Sequence, residues 1–178
     1  MLRFFSVSAN LFYSAAQGIL DEKAAAVSAL GTYALKCGAA FKPFIEPTLD
    51  VFTRLSTYFH EDVRMQAVLG MSYVFTATSK TFPSATANDP PTAQVAHVLS
   101  KAVETASKII KQDEDKDVVA AACTCLNRLL CNGTRAALAP HLQAIAELTM
   151  ELLKGKPLDA LLPLSQVLTI EPMKAKGN

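Results

Sequence analysis

Cys123, Cys125 and Cys131 crowd into one short stretch and are the side chains that most readily invite chemistry. Thiolates and imidazoles are the usual ligands of zinc, so the spacing has to be read against the local backbone. On a helix, residues two apart point about 200° apart, and Cys123 and Cys125 cannot grip one ion without breaking it. His60, His97 and His141 are scattered and form no ligand spacing. The sequence therefore predicts no metal site. It predicts buried or half-buried reduced thiols instead, with Cys37 the fourth cysteine. There is no nucleophile elbow, no Gly-rich phosphate loop and no His-Glu-x-x-His motif. Neither a catalytic site nor a cofactor is expected.

The acidic run Asp113, Glu114, Asp115 and Asp117 is the remaining cluster with chemical character. One reading is a solvated turn in which an aspartate caps a helix. The other is a docking site for basic protein segments, such as a Lys/Arg-rich localisation signal or a histone tail. Exposed single ion pairs contribute little, so docking would need many contacts along a concave face. Lys108 and Lys111 nearby dilute the acidic field.

Bulk properties narrow the partners. Apolar residues make up 51% of the chain and charged residues 19%, which excludes a disordered tail and fits a helix-rich protein. A formal net charge of +1 points to neither nucleic acid nor an anionic membrane surface. No apolar run is read as approaching the roughly 20 residues that span a bilayer. Asn132-Gly133-Thr134 is a glycosylation sequon and matters only in a secreted chain. Residues 1–19 hold Ser6, Ser8, Ser14 and Arg3 with no acidic residue before Asp21. They read either as an organelle transit peptide or as an amphipathic helix built on Leu2, Phe5, Leu11 and Phe12.

The elements that would position these residues come from a weak internal repeat. Segments opening at Asp21, Asp62 and Asp117 each place a small alanine five residues on, at Ala26, Ala67 and Ala122, and a bulky apolar residue four further. The aspartates are 41 and then 55 positions apart, against roughly 40–47 for HEAT and armadillo repeats. A loop at 82–93, carrying Pro83, Pro90 and Pro91, accounts for the longer interval. Each aspartate is expected to open a helix by accepting from its free N–H groups. Gly38 and Asn132-Gly133 suit left-handed stops. Second helices follow, with apolar stripes at Ile45, Leu49, Phe52 and Leu55, then Val95, Leu99, Ala102 and Ile110, then Leu142, Ile145, Leu148 and Leu152. Pro43 and Pro140 sit at matching first turns. The chain thus reads as all-α: three helix pairs over 20–154, then a partial fourth unit and a polar tail over 155–178.

Three segments, Leu20-Asp21-Glu22-Lys23-Ala24-Ala25-Ala26, Ala40-Phe41-Lys42-Pro43-Phe44-Ile45-Glu46 and Phe59-His60-Glu61-Asp62-Val63-Arg64, together with the acidic run through Val119, resemble the HEAT repeats of the importin-β (karyopherin-β) family. The likeness is to receptors of the importin-four and importin-five type and covers residues 20–154, a partial chain for that family. It implies an α-solenoid of antiparallel helix pairs that wraps basic nuclear cargo, histones among it, and is released by the GTPase Ran. Its implied location is cytoplasm and nucleus. Self-association through open solenoid ends is expected on physical grounds, because uncapped ends expose apolar faces. Arg64 is expected to serve structure, sharing charge contacts between neighbouring repeats.

Overall fold

The computed structural model describes the backbone of residues 2–155 and the side chains of residues 17–154. The expected fourth unit and polar tail lie outside the described residues, as do the side chains proposed for an amphipathic face in residues 1–16. Every regular element among the described residues is helical, so the fold is all-α. The α-helices are α1 (Leu2–Cys37), α2 (Ile45–Leu55), α3 (Glu61–Thr81), α4 (Ala93–Gln112), α5 (Lys116–Asn132), α6 (Arg135–Leu138) and α7 (Leu142–Gly155). Short 3-10 turns at Gly38–Phe44 and Ala139–His141 lead into α2 and α7.

Helix starts differ in detail from the sequence expectation. Asp21 opens nothing: α1 runs through it, because no proline interrupts Leu2–Cys37 and the glycines alone are too weak to end a helix this long. The helix stops where expected, before Gly38, whose φ of +53° favours glycine. For α5 the cap is Asp115, whose Oδ1 accepts from the N–H groups of Asp117 (2.9 Å) and Val118 (3.1 Å). Asp117 itself lies in the first turn. The same holds at α3, where His60 is the N-cap and Asp62 follows in the first turn. Both aspartates still face the positive end of the helix dipole, whereas Asp21 lies inside α1 and its matching alanine, Ala26, is exposed where Ala67 and Ala122 are buried.

Gly133 also departs from expectation. It ends α5 at φ −84°, not in the left-handed region. Space explains the glycine: a Cβ there would lie 2.8 Å from Leu138 Cγ and 2.9 Å from the Leu129 carbonyl oxygen.

Packing follows alternate helices. α1 lies on α3, and α3 lies on α5; α2 and α4 pack against α3, and α4 reaches α5. α1 and α2 touch each other only lightly, so the first pair is held chiefly through α3. The core holds most of the stripes expected from helical spacing and adds Val68, Phe75 and Val98, while Leu55 is only partly buried. Val63, Ala67, Met71 and Val74 of α3 are completely buried, and so are Phe52 of α2 and Leu99 of α4. Burial of each of the larger of these side chains contributes about 1.5–3 kcal/mol. On α7, Ile145, Leu148 and Leu152 are buried but Leu142 stays about half exposed.

The first part of the chain is more apolar than the sequence expectation allowed. Gln17–Leu55 contains a window long and apolar enough, by length and composition alone, to cross a membrane. Gly38 and the 3-10 turn interrupt that stretch, and Ala24, Val27 and Ala34 belong to the buried core that α1 forms with α3.

Candidate functional site

The acidic residues separate into two groups once folded. Asp113 ends α4 and turns inward, with its side chain 11% exposed. Arg64, near the start of α3, donates from Nε to Asp113 Oδ2 at 2.8 Å and from Nη2 to Oδ1 at 3.1 Å. Its third nitrogen, Nη1, donates to the carbonyl oxygens of Tyr58 and Phe59, both at 3.0 Å. A bidentate guanidinium–carboxylate pair of this kind is among the strongest polar contacts available. It fixes the end of α4 beside the start of α3, which makes the two helices antiparallel. Arg64 thus ties together the two helices of one pair and holds the turn that leads in from α2, so its charge contact lies within a repeat and not, as expected, between neighbouring ones.

Asp113 Oδ1 further accepts from the Asp115 N–H at 3.0 Å, and Asp115 caps α5. Both side chains are therefore committed to building the turn between α4 and α5. Glu114 and Asp117 remain exposed. Of the four carboxylates proposed as a docking patch, the fold leaves these two to solvent and spends the other two on structure.

Two acidic residues absent from the proposed patch complete it. Glu61 and Asp62 begin α3 as Lys116 and Asp117 begin α5, and a cleft of about 340 Å³ runs between these helices. Glu61, Asp62, Asp115 and Asp117 line one end of it. Met65, Leu69 and Ala121 form an apolar floor, and Arg128 stands at the far end. The turn that leads into α5 is held at the start of α3 by the Arg64–Asp113 pair, and further along Arg128 lies over Tyr73, so α3 and α5 run parallel here. The equivalence of Asp62 and Asp117 in the repeat was the signal that could have brought Glu61 and Asp62 into the patch.

A second cleft, of about 360 Å³, opens beside the Arg64–Asp113 pair. Its walls mix Lys108, Gln112 and Glu114 with Thr57 and Tyr58, so it carries no single charge. Lys23 of α1 approaches the same turn, donating to the Tyr58 hydroxyl at 3.1 Å and extending the chain of polar contacts to the first helix.

The sulfur and imidazole groups do not converge. Cys125 is buried and Cys123 half-buried, while Cys37 and Cys131 are exposed, and all four are free thiols. Burial pushes the Cys125 thiol up to about 12, against smaller lowering effects from Arg128 and the Ser72 backbone. Among the described residues no three His, Cys, Asp or Glu side chains are placed to share a metal ion. His97 lies 3.5 Å from Glu46, linking α4 to α2, and His141 Nε2 lies 3.5 Å from Ser100 Oγ, linking the turn before α7 to α4. No family model, curated protein or solved structure matches the chain.

Proposed function

We propose that this chain is a protein-binding helical-repeat segment of a nuclear import receptor, built as a HEAT-type solenoid and taking basic cargo proteins. The observation that carries the reading is the alternate-helix packing, in which α1, α3 and α5 succeed one another while α2 and α4 lie to the side of α3. Stacked antiparallel pairs produce this pattern, because each pair contacts only its neighbours. Carboxylates recurring at the starts of α3 and α5 supply a surface suited to lysine and arginine. Binding without catalysis is the proposed activity. Cytoplasm and nucleus are the proposed locations, with Ran as the releasing partner and association through the end helices as a further consequence.

The second reading is a general HEAT scaffold or regulatory subunit in the cytosol. It is favoured by the loss of Asp113 and Asp115 to structural roles, which halves the original acidic patch. A pull-down from nuclear and cytosolic extract, with and without GTP-loaded Ran, separates the two. Capture of basic nuclear proteins that Ran-GTP releases supports the receptor. Capture that ignores both basic character and Ran supports the scaffold.

A further inference from the structure

The geometry points to the cleft between α3 and α5 as a docking groove for a short extended protein segment that carries a basic residue at one end, an apolar residue in the middle and a carboxylate at the other. This rests on the protein-binding reading above and makes it specific. Glu61, Asp62 and Asp117 stand at the mouth formed by the two helix starts, Met65 and Leu69 line the middle, and Arg128 closes the far end. From Asp117 to Arg128 the helix advances about 16 Å, at about 1.5 Å per residue. An extended chain covers that distance with about five residues.

Charge complementarity selects the occupant. A uniformly basic peptide would satisfy the mouth but would carry its second charge to Arg128, a like charge on the cleft wall. Arg128 is held there by stacking on the Tyr73 ring, with Cζ 4.8 Å from the centroid. The positive dipole ends of α3 and α5 offset part of the acidic field at the mouth. The apolar centre therefore has to contribute, and Met65 and Leu69, both partly exposed, provide it.

The test is an NMR titration of the full chain with two synthetic peptides. One has a lysine and an aspartate separated by three residues with leucine at the centre; the other replaces the aspartate with a second lysine. Amide shifts confined to Asp62–Leu69 and Asp117–Arg128, with the first peptide binding at least about tenfold more tightly, are expected. The paired variant Asp62→Asn and Asp117→Asn should weaken both peptides, and Arg128→Gln should weaken only the first. Because Arg128→Gln also removes a ring contact, circular dichroism checks its fold, and the aspartate pair decides alone if that variant unfolds. Equal affinity for the two peptides, or shifts elsewhere on the molecule, would overturn the groove while leaving basic-segment binding in place. Absence of shifts with either peptide would overturn both.

Discussion

Arg64 of α3 grips both carboxylate oxygens of Asp113, which lies 49 residues further along at the end of α4. The pair is largely shielded, with side chains 16% and 11% exposed, so salt screens it less than a surface contact. Removing one partner leaves the other charge shielded and unpaired. Asp113→Ala is expected to cost about 2–4 kcal/mol in urea unfolding. The double replacement of Arg64 and Asp113 by leucine should cost less than Asp113→Ala alone. A double-mutant cycle showing no coupling would remove the pair as a link between α3 and α4.

Gly70 gives a prediction of unusual sign. In most helices alanine is favoured over glycine by about 1 kcal/mol. Here a Cβ at Gly70 would lie 2.5 Å from Cε2 and Cζ of Phe52, whose ring is completely buried between α2 and α3. Gly70→Ala should therefore destabilise the protein by about 1–3 kcal/mol. Adding Phe52→Leu to it should recover part of that loss. A rise in melting temperature for Gly70→Ala would show that the ring can move aside.

Cys125 makes stability depend on alkaline pH. Its thiol is pushed from an ordinary value of 9.0 to about 12, mainly by burial. The protonated form is the one the fold favours. Its contribution is complete below about pH 9 and is lost as pH rises toward 12, by about 1.4 kcal/mol per unit. Denaturant midpoints measured from pH 8 to pH 11 should fall in the wild type and fall less in Cys125→Ala. At pH 8 a thiol reagent should modify Cys37 and Cys131 quickly and reach Cys125 only on unfolding.

Ala67 tests the helix packing directly. It is completely buried on α3, where no space or partner exists for a charge. Ala67→Asp should abolish the cooperative melting transition. Ala25→Asp, on the exposed face of α1, should leave it within about 2 °C.

Helix periodicity exposed most of this fold, because α3, α4 and α5 bury the side chains that recur every three or four residues. The loop between Thr81 and Ala93 was equally legible, since its prolines cannot continue a helix. What failed was the role of single aspartates. Asp21 looks like Asp62 and Asp117 in sequence, yet lies inside α1, where nothing upstream breaks the helix. Asp113 looked like one member of a solvated acidic run. Its real partner is fixed by the way α4 returns to the start of α3, and a local pattern cannot report that. Glu61 and Asp62 joined the candidate surface for the same reason: their neighbours across the cleft are distant in the chain.

The position of α3 has a consequence for how the molecule comes apart. It touches α1, α2, α4 and α5, so it acts as a keystone, and α1, α2 and α5 each lean on it more than on any other helix. Fraying should begin at both ends and travel inward, with amide protection deepest around Val68 and Phe75. Damage to α7 would then be tolerated as local loosening. Damage to α3 would release the whole assembly at once.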